Sequence, residues 1–198
     1  MKIKILSILL LMASVSFAQS NAEPDSKTNT KRNWGAYGGT LLQLSNPGDE
    51  TSLFVGGQGA IVLNSKFVLG AFGLGSPGSA KLSGSSYGYD QDLELSMGYG
   101  GIYLEYIIGR HKLFHPSVSL PVGIGRASVK QDGSDDKISK TSLLTFSPRL
   151  NLEFNLGNNA LIAIFGGYQL LSAENQFLVS SNDLSSWQYG VCLKLGQF

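Results

Sequence analysis

The sequence predicts an all-β fold, an eight-stranded antiparallel up-and-down transmembrane β-barrel, and three observations lead to this prediction. Segment 142–156 alternates apolar and polar residues at a strict period of two, which is typical of a long strand with two different faces. The chain begins with an export-type apolar segment. Tight turns then alternate with long polar loops, as in barrels whose two rims face different compartments.

The two faces of segment 142–156 have different partners in a membrane barrel. The apolar face contacts lipid, and the polar face, which carries Arg149 and Glu153, points into the lumen. The residues predicted to face lipid are Leu144, Phe146, Leu150, Leu152 and Phe154.

Residues 1–18 are predicted to be a signal peptide. Lys2 and Lys4 precede an apolar run over 5–15, and Ala18 is a small residue at the cleavage site. The run is shorter than the roughly 20 residues that a membrane-spanning helix needs. Residues 19–33 are polar and lack a hydrophobic period, so we expect a flexible periplasmic leader before a barrel domain over 34–198.

Charge and cysteine content narrow the possible partners. Loss of the signal peptide removes two lysines and lowers the formal charge from +1 to −1, which argues against nucleic acid as a partner. The only cysteine, Cys192, has no partner for an internal disulfide.

From residue 34 onward the pattern predicts eight strands. Their approximate spans are 34–45, 52–63, 66–75, 93–106, 113–129, 142–156, 160–171 and 185–198. Most are long enough for a tilted crossing, which takes about 9 to 11 residues. Short turns fall near residues 64, 109 and 158, and the long loops cover 76–91, 130–140 and 172–184. In the fourth strand the apolar set changes phase at Gly100 and Gly101, which predicts a β-bulge there.

These features together resemble the small eight-stranded outer-membrane proteins of Gram-negative bacteria, the OmpX-like and OmpA-barrel-like families. The likeness rests on the signal peptide, the alternating strands, the glycine-rich segments 56–59 and 70–75 and the terminal Phe198, and it covers about 34–198. It implies an outer-membrane location, lipid around the barrel, and the barrel-assembly machinery as a partner that recognises Phe198. Phe198 is out of phase with the apolar face of 187–195, so either a bulge forms near Gly196 or this assembly signal is weak.

Three charged residues fall on predicted lumen faces: Glu105, Arg149 and Glu153. Side chains fill the interior of an eight-stranded barrel, and charges buried there must be paired. We therefore expect these three residues to form a charge network that plugs the lumen. A gated polar path for ions is the alternative interpretation.

Three prolines complicate the predicted sheet. Pro116, Pro121 and Pro148 lie in adjacent strands, and proline cannot donate a ladder hydrogen bond. Either these sites are bulged or the fifth and sixth strands part locally.

Two histidines are the obvious candidates for chemistry. His111 and His115 are four residues apart, a spacing that separates two ligands along a strand, so rim histidines are expected and a metal site is not. His115 shares a strand face with Ser117 and Ser119, but no acid is evident that would orient the histidine for hydrolysis. We predict no enzymatic activity, cofactor or metal.

Loop and aromatic residues also have simple interpretations. Asp132, Asp135 and Asp136 lack the spacing of a calcium loop and are expected to be solvated. Tyr87 and Tyr89 lie in the longest loop, where carbohydrate stacking is a second interpretation. The other aromatic residues considered are assigned to the water–lipid boundary: Trp34, Tyr37, Tyr99, Tyr103, Tyr106, Tyr168, Trp187 and Tyr189.

Three function classes remain from the sequence. The first is an outer-membrane protein with a structural or surface-interaction role. The second is a narrow pore for small solutes. The third is a soluble periplasmic barrel of lipocalin type that binds an apolar ligand, in which the apolar faces would point inward.

Overall fold

The computed structural model describes residues 34–47, 51–77, 80–82, 93–109, 113–131, 137–157, 159–173 and 181–198, with the backbone alone at 80–82, 131, 137–138 and 182–183. The predicted signal peptide and leader lie outside these residues. So do Tyr87, Tyr89, His111 and the three loop aspartates, Asp132, Asp135 and Asp136.

Ten strands and one short helix make up the described residues. The strands are β1 (Trp34–Ser45), β2 (Ser52–Leu63), β3 (Phe67–Gly75), β4 (Ala80–Leu82), β5 (Leu93–Ile107), β6 (Phe114–Gln131), β7 (Lys137–Phe146), β8 (Arg149–Asn155), β9 (Ala160–Ala173) and β10 (Ser186–Gln197). Helix α1 covers Ser181–Leu184. Across the described ranges, no helix is both long and apolar enough to cross a membrane.

The strands close into a ring of eight positions. All pairings are antiparallel, and β1 pairs with both β2 and β10, which closes the sheet. Strands β3 and β4 both pair with β5, so together they fill one position in the ring. Strands β7 and β8 both pair with β6 on one side and β9 on the other, so they also share one position. The prediction of an eight-stranded antiparallel barrel is confirmed.

Two prolines account for the break between β7 and β8. Ser147 donates its amide to the Pro121 carbonyl at 2.9 Å, and the Pro148 carbonyl accepts from Tyr168 at 3.3 Å, but neither proline can donate in return. The register on both sides of the break is the same, with Val122 opposite Phe146 and Ser119 opposite Arg149. The sheet therefore loses ladder bonds here without a register shift, and the barrel still closes.

Pro116 lies at the end of a pairing, where a missing donor costs little. Its carbonyl accepts from the Ile108 amide at 2.9 Å, one residue beyond the last residue of β5. The missing N–H therefore falls at the edge of the ladder, and β6 continues past Pro116 opposite Leu152.

The predicted bulge at Gly100 and Gly101 does not form. The pairing of β5 with β6 runs without a shift from Leu93 to Ile107, and odd-numbered residues remain on the inner side throughout. The chemistry of the two faces changes there instead. The prediction was wrong because it assumed that the apolar face of the strand always points outward. In the structure the apolar set lies on the inner face before Gly100 and on the outer face after Gly101, while the strand itself continues without a bulge.

The faces of β5, β6 and β7 exchange character along the barrel. Towards the short turns, the outer face is apolar and the inner face is polar. The exposed apolar residues of that half include Ile102, Leu104, Val118 and Leu120, and the buried polar residues include Glu105, Ser117 and Ser119. Towards the long loops, the inner face is apolar and the outer face is polar. The buried residues of that half include Leu93, Leu95, Met97, Ala127, Val129 and Leu143, and the outward residues include Glu94, Ser96, Ser128, Lys140 and Ser142.

The last strand contains no bulge near Gly196. The β1–β10 ladder runs without a shift from Ser45 opposite Gln188 to Ala36 opposite Gln197. Phe198 therefore falls on the inner side, where its ring lies 5.5 Å from that of Tyr37. Its phase differs from the outer face because its side chain packs inside the barrel mouth.

The outer stripe can be tested with a charge placed at two heights on one predicted strand. Leu150 is 69% exposed at the middle of the apolar belt, and Ser142 is exposed beyond it. We expect Leu150→Arg to reduce the free energy of folding into vesicles by about 2–4 kcal/mol, and Ser142→Arg by about 0–1 kcal/mol, because the bilayer middle cannot solvate the charge. Urea titration in lipid vesicles measures both values. Equal losses would contradict the orientation.

Candidate functional site: the polar lumen

A lysine near the end of the chain lies at the centre of the lumen charges. The Lys194 Nζ atom of β10 lies 3.1 Å and 3.2 Å from the two carboxylate oxygens of Glu105 on β5. It also donates to the Glu153 carboxylate on β8. All three side chains are buried, so the lysine satisfies two carboxylates from different walls of the barrel.

Each carboxylate has further hydrogen-bond donors. Glu153 Oε2 lies 2.9 Å from His115 Nε2. Glu105 accepts from the Ser117 hydroxyl and, at 3.3 Å, from the amide of Asn151. These bonds fill the acceptor positions that a buried carboxylate would otherwise leave empty.

His115 is not a rim residue. It is 1% exposed and lies on the inner face of β6, two residues before Ser117. Strict alternation along β6 places positions 115, 117 and 119 inside the barrel, so the sequence contained the signal. The predicted assignment to the rim was wrong because the inner face of β6 is already buried at the second residue of the strand.

The lumen aromatic residues surround this charge cluster. The hydroxyl groups of Tyr37 and Tyr103 lie 2.8 Å apart, and the Tyr37 hydroxyl donates to Glu105 at 3.3 Å. The Lys194 ammonium lies 5.0 Å from the centre of the Tyr37 ring. Tyr103 packs over Gly70, where any larger residue would clash with its ring.

Three tyrosines were therefore placed wrongly at the water–lipid boundary. Tyr37, Tyr99 and Tyr103 are buried and point into the barrel, where their hydroxyl groups find polar partners. The other five aromatic residues assigned to that boundary do lie on the outer face: Trp34, Tyr106, Tyr168, Trp187 and Tyr189.

A second polar cluster lies nearer the long loops. Arg149 donates to the Gln43 carbonyl oxygen at 3.1 Å, and its guanidinium lies 4.8 Å from the centre of the Phe165 ring. Gln43 donates in turn to the Tyr99 hydroxyl at 2.7 Å and to Gln169 at 3.2 Å. This cluster is held by amide and hydroxyl groups, and within the described residues Arg149 has no carboxylate partner.

The structure divides the predicted charge network differently from the sequence. Glu105 and Glu153 are brought together, but Lys194 joins them and Arg149 belongs to the other cluster. Lys194 was missed because only the apolar face of the last strand was considered. The alternate face carries Gln188, Cys192 and Lys194, and the same period of two predicts that all three point inward.

A small cavity separates the two clusters. Its volume is about 20 Å³, and polar groups of Glu105, Ser119, Arg149 and Asn151 line it together with Cys192. This space holds about one water molecule, since a water requires roughly 10–15 Å³ on the same measure.

The serines and the histidine do not form a nucleophile and base. Ser117 is hydrogen-bonded to Glu105 and Asn151, whereas His115 is bonded to Glu153. No hydrogen bond joins His115 to Ser117 or Ser119 in the part of the chain that the structure describes. In the same part, no group of three His, Cys, Asp or Glu side chains is arranged so that it could hold a metal ion.

The five predicted lipid-facing residues all lie on the outer face. Leu144, Phe146 and Leu150 are exposed, and Leu152 and Phe154 are half-buried by outer-face neighbours. Phe154, for example, packs against Phe114 with ring centres 6.2 Å apart.

Solved structures with this architecture come from outer membranes. The structure of Neisserial surface protein A matches with a TM-score of 0.55 and 10% identity, over 82% of this chain and 96% of that chain. The attachment invasion locus protein Ail of Yersinia pestis, in complex with the heparin analogue sucrose octasulfate, matches with a TM-score of 0.50 and 10% identity, over 82% of this chain and 97% of that chain. The chain has the fold of the small eight-stranded outer-membrane β-barrels. A scan against family models gives no match, and a search of curated proteins gives none either.

This fold agrees with the chemistry of the outer surface. An outer-membrane β-barrel presents an apolar band to lipid, and here exposed apolar side chains follow the outer face of every position in the ring. The soluble lipocalin-type alternative is wrong, because it requires those faces to point inward.

The role of Lys194 can be tested by removing its charge. Lys194→Met leaves Glu105 and Glu153 buried without a cation, and we expect a loss of about 3–5 kcal/mol in the free energy of unfolding. Arg149→Met should cost less, because within the described residues it leaves no carboxylate unpaired. Urea unfolding in the same lipid or detergent compares the two variants.

A combined variant distinguishes charge from packing. Adding Glu105→Gln and Glu153→Gln to Lys194→Met removes the unpaired charges and should restore part of the lost stability. If the triple variant is less stable than Lys194→Met alone, the ion-pair explanation is contradicted.

Proposed function

We propose that this protein is an integral outer-membrane barrel with a structural or surface-interaction role and no enzymatic activity. Its barrel serves as an anchor whose lumen is closed by side chains. The observation that carries the proposal is the Lys194 cluster, in which one cation and two carboxylates from different walls occupy the lumen centre. Four described lumen charges other than His115 sum to zero, so these residues bury no net charge: Lys194, Arg149, Glu105 and Glu153.

The outer face supports the anchoring part of the proposal. Leu144, Phe146 and Leu150 are exposed on one continuous stripe, together with the half-buried Leu152 and Phe154, and we assign this stripe to lipid contact. The C-terminal strand with Phe198 is proposed as the segment that the barrel-assembly machinery recognises.

The long loops are the proposed interaction surface. The strands that they follow, β3, β6 and β9, end at the rim opposite to the short turns. The apolar interior between β5, β6 and β7 gives that rim a packed base. Ail, one of the similar structures, was solved with a heparin analogue. Binding experiments on the loops would identify a surface ligand of this chain.

A narrow pore is the second candidate, and a specific observation favours it. Polar side chains line the lumen from His115 through Lys194 and Arg149 to Thr145, which is the chemistry that a solute path requires. The two candidates differ in whether water and small solutes reach these groups.

Cys192 reports on lumen access directly, because it is the only cysteine and lines the small cavity. We expect a small charged thiol reagent to leave Cys192 unmodified in the folded barrel and to modify it fully after unfolding in urea. A Ser142→Cys variant in a Cys192→Ala background is the matched control, since residue 142 is exposed and should react at once. Mass spectrometry measures both reactions.

Conductance in planar bilayers tests the same proposal independently. The folded protein should show no steady open channel. A steady conductance whose ion selectivity reverses in Arg149→Glu would contradict the closed lumen and favour the pore.

A further inference from the structure

The outer surface contains a groove beside the break between β7 and β8. Its volume is about 620 Å³, which lies within the range of roughly 300–1,000 Å³ found for ligand pockets. Most of its lining is apolar and aromatic, and the residues include Leu150, Tyr168, Trp187 and Tyr189. The groove opens on the outer apolar face, which the proposed function assigns to lipid, so its occupant is apolar over most of its length.

Two adjacent glycines on β9 create this groove. Gly166 lies between Leu150 and Tyr189 in the register, and its missing side chain leaves a gap in the outer face. Gly167 lies between Arg149 and Gln188 on the inner face. The Pro148 carbonyl occupies the space that a side chain at Gly167 would need, so the proline break and the glycine occur together. At these two positions no side chain of β9 covers the wall.

Two polar residues beside Gly167 also line the groove, and both have unused hydrogen-bonding groups. Arg149 is 6% exposed and Gln188 is 1% exposed. Arg149 Nε and both polar atoms of the Gln188 amide lack a hydrogen-bond partner within the described residues. Buried polar atoms are normally satisfied, so these unpartnered groups in the lining of the groove are available to a polar group of a ligand.

We propose that this groove binds a single-chain amphiphile with a carboxylate headgroup, the class to which long-chain fatty acids belong. The acyl chain lies along Leu150, Trp187 and Tyr189, and the carboxylate accepts from Arg149 Nε and the Gln188 amide. Charge complementarity selects this headgroup, because Arg149 has no carboxylate partner in the described part of the lumen and guanidinium groups pair closely with carboxylates.

Trp187 gives the proposal a local optical probe. The chain has two tryptophans, and Trp34→Phe leaves Trp187 alone in the groove. In vesicles that contain a small fraction of a brominated fatty acid, we expect Trp187 fluorescence to be quenched about fivefold more strongly than by brominated phosphatidylcholine at equal bromine content. Unbrominated fatty acid should reverse the quenching, and its methyl ester should not.

Two variants test the groove and the headgroup separately. Gly166→Leu fills the groove and should abolish the preference for fatty acid, whereas Gly38→Leu, at an outward glycine that also has room for a side chain, should leave it unchanged. Arg149→Met should weaken fatty-acid binding about tenfold, which is the factor expected for the loss of one charge-assisted hydrogen bond. Circular dichroism establishes that each variant is folded before binding is measured.

Three results would overturn the proposal. Equal quenching by fatty acid and phosphatidylcholine would show that only bulk lipid fills the groove. Equal competition by the methyl ester would show that the carboxylate is not recognised. Unchanged binding in Gly166→Leu would place the fatty acid elsewhere on the barrel.

Discussion

Burial of charge inside the barrel is the constraint on which the rest of this structure depends. Lys194 meets that constraint by reaching from β10 to carboxylates on β5 and β8, which do not pair with each other in the sheet. A buried ion pair is tolerated only when its remaining hydrogen-bonding positions are filled, and here His115, Ser117 and Asn151 fill them. The identity of these inner residues is therefore set jointly by several strands and cannot be chosen one strand at a time.

The placement of missing hydrogen-bond donors also explains how the sheet closes despite its prolines. Two of the three prolines that threatened its closure, Pro121 and Pro148, direct their missing donors into the same short interruption, and the register is equal on its two sides. Gly167 allows the Pro148 carbonyl to approach β9 closely. The result is one short interruption of the hydrogen-bond ladder, and the fifth and sixth predicted strands remain paired on both sides of it.

Alternation was enough to predict eight strand positions, most of their bounds and the outer position of Leu150 and its neighbours. Strand β4 and the first residues of β7 lie in segments predicted to be loops. Alternation could not predict which inner residues meet, because contacts across a lumen depend on shear and on side-chain length, and neither is visible in one strand. Glu105 and Glu153 were placed inside correctly, but their shared partner Lys194 required the polar face of β10 to be considered as well. The assumed bulge at Gly100 shows a second limit: a hydrophobic pattern indicates which face is apolar, and the direction in which that face points must come from elsewhere.

The exchange of faces along β5 and β6 means that one pair of strands obeys two opposite substitution rules. Near Leu104, an outward serine would be a defect and an outward leucine is expected, whereas near Ser96 the reverse holds. The boundary between the two rules falls at Gly100 and Gly101, where the outer surface changes from one solvent to another. Sequence drift in related chains should therefore show a reversal of outward hydrophobicity at this height, and its position would mark this edge of the apolar belt without any measurement on lipid.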